Sequence, residues 1–587
     1  MKKFLPLLLI FLIGACAPAA PTTPPTAAPP TQTLSPADTF STALAVDAAT
    51  KAVKPTTVPT STSAPIPTLD PSLYPTLPPS TGENWWSDAV FYEVFVRSFK
   101  DSNGDGKGDI NGLIEKLDYL NDGDPTTNTD LGVTALWLMP IMESPSYHGY
   151  DIVDFYTVER DYGTNEDFKR LIFEAHKRGI RVVIDLVINH TSTQSPWFQA
   201  SNSGDPQYRD WYIWSETDPG YLGPWGAKAW YTGGAGYYYA MFWSGMPDLN
   251  FRNPKVTEEI FKIISYWLLD MKADGFRLDA VKHYVEEGTA QENTTATHTW
   301  LKSFFQYYKS VNPQAFSVGE TWTSTQNAVK YVDDEVDLAF DFDLSDAIVR
   351  TANGPLALSA SDQMQVVLDS YPNNEFGVFL TNHDEDRVMS TLDDVNKAKL
   401  AAAMLLTSPG VPFIYYGEEI GMTGTKPDED IRRPMQWNGT GPSVGFSTMA
   451  PWRAAAIDFP EVNVENETND PNSLLSFYRD LVHLRNDHEA LRTGDTLVVD
   501  SGNPSVYALL RYTDEEAFLV LINVDTKPIS DYSLSLANGP FSGGITATTV
   551  IGQQNPSAPQ ISGGGFSGYL PFAELPAQSA TIIQLVP

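Results

Sequence analysis

Eight short apolar runs recur along the chain from Trp85 onward, at residues 90–96, 133–139, 181–188, 275–278, 316–318, 336–342, 377–380 and 411–416. Each has the length of a strand, and several are separated by helical patterns. Thr164 opens one such pattern well: it is a good N-cap, and Glu166 and Asp167 suit the first turn. Phe168, Leu171, Ile172 and Ala175 follow at helical spacing, and Gly179 stops the helix before the 181–188 run. Asn253-Pro254 likewise opens a helix carrying Ile260, Ile263, Ile264 and Trp267, which leads into the 275–278 run. Strands alternating with helices in this way predict a closed parallel barrel with its connections on the outside.

Two stretches depart from a plain barrel. Residues 191–248 are rich in Trp, Tyr, Gly and Asp, lack a clean helix, and read as a small domain inserted after the third strand. Beyond a helix at 474–485, the runs 505–512, 517–524 and 580–586 are β-like and separated by Gly, Pro and Ser turns. The predicted architecture is therefore an α/β (β/α)8 TIM barrel over 85–190 and 249–494, an inserted domain over 191–248, and a C-terminal antiparallel β-sandwich over 495–587.

The first eighty residues have another texture. Lys2 and Lys3 precede an apolar stretch from Phe4 to Ile13, then Gly14-Ala15-Cys16. This reads as a signal peptide over 1–15, too short an apolar stretch to span a bilayer comfortably. Ile13-Gly14-Ala15-Cys16 resembles the lipobox of bacterial lipoproteins, which implies lipidation of Cys16. Residues 17–80 hold 15 prolines, 14 threonines and five charged residues, so they cannot bury enough to fold and read as a semi-rigid tether over 16–80. The chain is expected to be exported and lipid-anchored at the bacterial cell surface or on the outer face of the cytoplasmic membrane. Cys16 is the sole cysteine, which excludes an internal disulfide framework and any Cys-rich zinc site. A net charge of 38 − 73 = −35 argues against a nucleic-acid partner.

Residues just after the strands of a parallel barrel gather at one mouth. The strand ends deliver Asp185 with His190, Arg277 with Asp279, Glu320, and His383 with Asp384. A charge in such a place is costly without a partner, and four strands sending acids to one mouth point to chemistry. The i, i+2 spacing puts Arg277 and Asp279 on one face, where the guanidinium is expected to lower the carboxyl pKa, as a nucleophile requires. Glu320 has no basic neighbour in sequence and is expected to keep its proton more readily, as a donor requires. Two carboxyls tuned in opposite directions are what glycosidic cleavage needs.

The segments Asp185-Leu-Val-Ile-Asn-His190, Gly275-Phe-Arg-Leu-Asp-Ala-Val-Lys-His283, Val318-Gly-Glu320 and Thr381-Asn-His-Asp384 resemble, in order, the four signature regions of the α-amylase family of glycoside hydrolases. Met246-Pro-Asp-Leu-Asn250 is similar to a fifth. The resemblance implies Asp279 as nucleophile, Glu320 as general acid/base and Asp384 as transition-state stabiliser. It implies that Arg277, His190, His383, His148 and Tyr150 hold the sugar at the cleavage position. Lys282 and His283 would receive the leaving-group side of an α-1,4-glucan. Arg432 or Arg433 would contact an adjacent sugar; Arg433 is carried as the contact, with the doubled arginine leaving the choice open. Trp211, Trp214, Trp225 and Trp230 offer stacking surfaces, though most are expected to pack within the inserted domain.

Asp101, Asn103, Asp105, the Lys107 carbonyl and Asp109 place oxygens at alternate positions of a glycine-rich loop, a pattern suited to Ca2+. The loop resembles a calcium site of several members of the family, and position 112, a glycine, rules out a full EF-hand. The expected activity is retaining hydrolysis of α-1,4 bonds in starch, glycogen or maltooligosaccharides by a monomer. Features shared with oligo-1,6-glucosidases and neopullulanases keep exo-acting α-glucosidase or oligo-1,6-glucosidase activity open. Transglycosylation or trehalose formation on the same scaffold is a further alternative. A non-catalytic glucan-binding surface protein is a remote one, since the triad is complete.

Overall fold

The computed structural model describes residues 84–371 and 373–586; Cys16 and the expected export segment and tether lie outside them. Strands β1 (Phe91–Val94), β2 (Ala135–Leu138), β3 (Arg181–Leu186), β4 (Gly275–Leu278), β5 (Phe316–Gly319), β6 (Leu338–Phe340), β7 (Phe376–Phe379) and β8 (Val411–Tyr415) pair in chain order, and β8 closes on β1. Every predicted apolar run contributes one of these strands. Side chains alternate between faces along each strand. Phe91, Trp137, Val183, Phe316, Val318, Phe340, Phe379 and Phe413 fill the interior, and Trp85 and Trp86 join them from the turn before β1. Tyr92, Leu136, Val182 and Ile184 face outward and pack with helix residues such as Leu171, Ile172 and Ile260.

Local signals set the helix ends. Thr164 and Asp167 form a reciprocal capping box at the start of Asn165–Lys177, and Gly179 supplies the positive φ of 77° that turns the chain into β3. Asn253 accepts from the Lys255 N–H at the start of Pro254–Ser265. After β5 the helical crossing shrinks to the α-turn Thr325–Ala328 and the 3-10 turn Val329–Tyr331 that continues it.

The insertion after β3 carries a three-stranded antiparallel sheet of Trp214–Ser215, Gly236–Tyr239 and Trp230–Gly233. It also holds a short helix, Pro196–Asn202, where none was expected; Ser195 caps it and Pro196 occupies its first turn. Beyond the barrel, a five-stranded antiparallel sheet and a three-stranded one enclose a second core that includes Leu510, Leu519, Leu534, Phe566 and Ile583. Arg511, buried in this unit, joins it to the barrel by donating to the Thr407 carbonyl at the end of helix Val395–Thr407, where buried Arg485 of the barrel's own helix Leu474–Asp487 donates to the carbonyls of Leu406 and Ser408. Cations at that end also complement the helix dipole.

Candidate active site

β4 and β5 run in register, with Arg277 beside Val318 and Leu278 beside Gly319, and the Glu320 N–H donates to the Leu278 carbonyl at 3.0 Å. Asp279 and Glu320 therefore leave adjacent strands side by side. Asp185 stands beside Arg277 across the β3–β4 pair. Arg277 binds all three acids: Nη1 lies 2.9 Å from Asp185 and 2.8 Å from Asp279, and Nη2 lies 3.0 Å from Glu320. Ala280 adopts φ 51°, a left-handed backbone costly for a residue with a Cβ. That turn swings the chain away from Asp279 and points the Ala280 N–H at Glu320, 2.8 Å away.

This arrangement corrects the proton expectation for Asp279. Burial pushes the Asp279 carboxyl well above the usual carboxylate range; Arg277 opposes the shift, while Glu320, Asp185 and Asp384 add to it. The guanidinium is shared among three carboxylates, so it cannot hold Asp279 down alone. Glu320, without a cation near it in sequence, has that same guanidinium beside it in space.

Asp384 is held from the other side. Arg432 Nη2 sits 2.7 Å from its Oδ1 and His383 Nε2 lies 3.1 Å from its Oδ2. Burial would raise this carboxyl, but the charges of His383, Arg432 and Lys426 keep it well below the usual range. Tyr150 stacks on the His383 ring at 5.4 Å and 12° and donates to Asp185 at 3.0 Å. His148 also stacks on Tyr150, at 6.1 Å and 23°, and accepts the Tyr150 N–H on Nδ1. His190 bonds the Tyr150 carbonyl through Nε2, and burial lowers its pKa to about 4, so it is neutral at pH 7.

Lys282 ties the loops after β4 and β5 together, donating to the Trp322 carbonyl at 2.8 Å and pairing with Glu292 at 2.9 Å. His283, also lowered to about 4 by burial and by Lys282, is fixed by the Gln291 carbonyl and abuts Trp225 edge-on at 5.4 Å. Trp225 thus reaches from the insertion to the loop after β4, whereas Trp211, Trp214 and Trp230 pack against Trp197, Phe198 and Tyr239 within the insertion. The doubled arginine divides: Arg433 pairs with Asp430 and donates to the Ala455 carbonyl, while Arg432 pairs with Asp384. Adjacent residues of an irregular loop point apart, and here only Arg432 is buried against the acid.

Two features escaped the sequence reading. Glu93, the inward acid of β1, accepts from His383 Nδ1 at 2.6 Å. Trp322, 38% exposed beyond Glu320, stacks on Phe342 at 4.9 Å and 7°. Phe342 and Glu320 line one cavity at the mouth together with Glu93, Trp137, Arg277 and Phe379.

In the loop after β1, Asp101 accepts the N–H groups of Asn103, Gly104 and Gly106, Asn103 accepts that of Asp105, and Asp105 that of Lys107. Asp109 caps the following helix at Gly112. Burial pushes the Asp105 carboxyl up, and nearby Asp101 and Asp161 add to this against Lys107. An all-oxygen donor set with surplus negative charge fits a hard cation. Among the described residues no three His, Cys, Asp or Glu side chains converge as a metal cage, so the Asn103 amide and Lys107 carbonyl would have to complete one.

A closed parallel barrel whose mouth presents Asp279 and Glu320 on one guanidinium, with Asp384 opposite, defines a glycoside hydrolase of the barrel class. Comparison with known proteins narrows this. A family model described as the α-amylase catalytic domain matches residues 93–494, and the chain belongs to the α-amylase family, glycoside hydrolase family 13. Alpha-amylase 3 of Dictyoglomus thermophilum is 41% identical over 451 residues, 76% of this chain and 86% of that one. A trehalose synthase/amylase of Mycolicibacterium smegmatis is 36% identical over 495 residues, 73% of this chain and 81% of that one. The crystal structure of an alpha-amylase from H. orenii superposes with a TM-score of 0.75 at 40% identity, covering 85% of this chain and 99% of that one.

Proposed function

We propose that this glycoside hydrolase cleaves α-1,4-glucosidic bonds of maltooligosaccharides and starch-type glucans with net retention. The observation that carries the reading is the register pair of Asp279 and Glu320 on adjacent strands, bridged by Arg277. Neighbouring strands lie ~4.8 Å apart, which suits the roughly 5–5.5 Å carboxyl separation of retaining enzymes better than the roughly 6.5–9.5 Å of inverting ones. Asp279 attacks the anomeric carbon as Glu320 protonates the departing glycosidic oxygen. Glu320, now a carboxylate, then takes a proton from water, which displaces Asp279 and restores the original configuration. Asp384, kept ionised by His383 and Arg432, stabilises the positive charge that develops on the sugar ring.

The α-1,4 preference is supported by likeness to a protein named alpha-amylase at 41% identity and by Lys282 and His283 on the leaving-group side. A second reading, transfer to a sugar acceptor, is favoured by the exposed Trp322 stacked on Phe342 beside Glu320, a flat apolar surface on which an acceptor ring can lie. Product analysis on maltoheptaose tests the choice: shorter maltooligosaccharides alone mean hydrolysis, products longer than the substrate mean transfer, and release of glucose alone means terminal action. Ca2+ held by Asp101, Asn103, Asp105, the Lys107 carbonyl and Asp109 would brace the loop after β1, a structural role away from the reacting bond. The lipid anchor at Cys16 remains part of this proposal and would hold the catalytic domain outside the cell.

A further inference from the structure

His383 is enclosed on all sides. Its ring stacks on Tyr150, meets Trp137 edge-on at 5.6 Å, and is 1% exposed. Nδ1 lies 2.6 Å from Glu93 Oε1, and Nε2 lies 3.1 Å from Asp384 Oδ2 and 2.5 Å from the Tyr150 hydroxyl. A neutral imidazole carries a single N–H and cannot donate to two carboxylates at once; the doubly protonated ring can. Glu93 is itself 2% exposed and sits at an inward position of β1, where an apolar residue would otherwise continue the barrel core. A buried carboxylate there is costly unless its partner is charged.

We propose that Glu93 is a positioning residue for glycosidic cleavage: by accepting the Nδ1–H of His383 it fixes the ring whose other nitrogen holds Asp384 in place. The inference rests on the assignment of Asp384 as the transition-state stabiliser. Burial disfavours the charged ring, but Asp384 and Glu93 outweigh it and raise the His383 pKa to about 9. Other charged or titratable groups face this pair. Asp185 and Arg277 come from β3 and β4, and Tyr150 from the loop after β2. Glu385 stands on the ring's own loop, Arg432 and Lys426 beside Asp384, and Tyr415 and Glu418 behind Glu93. When the ring loses a proton, the shorter bond to Glu93 keeps Nδ1–H. The Nε2 lone pair then faces Asp384, which loses a donor.

The test is Glu93→Gln, which keeps the shape and removes the charge. Ring nitrogen shifts of 15N-histidine-labelled protein, with the His383 signal assigned by its loss in His383→Gln, follow the ionisation directly; the chain has eight histidines. The expected result is an alkaline midpoint for His383 at least about one pH unit lower in Glu93→Gln. The ratio of parent to Glu93→Gln kcat/KM on maltoheptaose should widen at alkaline pH, where the variant's His383 has lost a proton that the parent's keeps. Glu93→Asp, with the charge kept on a shorter stem, should show a smaller fall. A uniform loss of kcat at every pH with an unmoved His383 midpoint would reduce Glu93 to packing and overturn the proposal. If Glu93→Gln does not fold, Glu93→Asp decides on the same midpoint. Product stereochemistry in the parent is independent of this result, so failure of the retaining reading and failure of the Glu93 role can be told apart.

Discussion

Replacing Arg277 with lysine keeps one positive charge but removes the geometry that holds the nucleophile and the acid together. The guanidinium reaches Asp185 and Asp279 with Nη1 and Glu320 with Nη2, at 2.8–3.0 Å. A lysine ammonium is a single point donor on a flexible stem. It can remain between Asp185 and Asp279, but the bond to Glu320 is then lost and the spacing of the two catalytic carboxyls is released. A hydrogen bond to a charged group is worth about 1.5–3 kcal/mol, and some misalignment adds to its loss. We therefore expect about 2–4 kcal/mol less transition-state stabilisation, or about 30- to 1,000-fold in kcat/KM. Stability should change far less, because Asp185, fully buried, keeps a cation beside it; Arg277→Ala would strand that charge and cost about 3–5 kcal/mol. The acid limb of kcat/KM should also move to higher pH in Arg277→Lys, since Asp279 loses part of the one charge that opposes its upward shift. Steady-state kinetics on maltoheptaose from pH 4 to 9, beside thermal melts, measure all three effects. A loss below about fivefold with the acid limb unmoved would refute the claim that a shared guanidinium organises this site.

Three further outcomes follow from the same structure. His283 has a folded pKa of about 4 against an ordinary 6.5, so the unfolded chain takes up a proton between these values that the folded chain refuses. Stability should fall as pH drops through that window by about 3 kcal/mol from this group, and His283→Asn should show a shallower decline in Tm between pH 7 and 4 than the parent. Chelation should lower the Tm of the parent, and Asp105→Ala should lose most of that response; an equal response in both would place the ion elsewhere. Cys16→Ser should move the enzyme from the membrane to the soluble fraction of its host, and identical partitioning of parent and variant would refute the anchor.

The barrel was legible because strand-length apolar runs and helix caps such as Thr164 and Asn253 are local signals that tertiary packing did not override. The acids were legible because each closes an apolar run, where a charge has no packing reason to be. Proton affinity was not. Spacing of i, i+2 pairs Arg277 with Asp279 alone, while the fold adds Asp185 and Glu320 from the neighbouring strands and divides the charge. Arg432 and Arg433 are chemically alike, and only the path of an irregular loop decides which one meets Asp384. Glu93 carried a readable signal, a lone acid in the apolar run 90–96 at the same parity as Phe91, but its partner lies 290 residues away. The helix Pro196–Asn202 stayed hidden because seven residues with two bulky aromatics show no clear period.

Retention is the central claim, and the configuration of the first product tests it most directly. Proton NMR of a maltooligosaccharide digest, recorded before mutarotation, resolves the anomeric signals of the newly formed reducing ends. Attack by Asp279 followed by water activated at Glu320 inverts the carbon twice, so the α-anomer should appear first and the β-anomer only as mutarotation proceeds. Initial β-anomer would mean a single displacement by water, and would contradict Asp279 as the nucleophile.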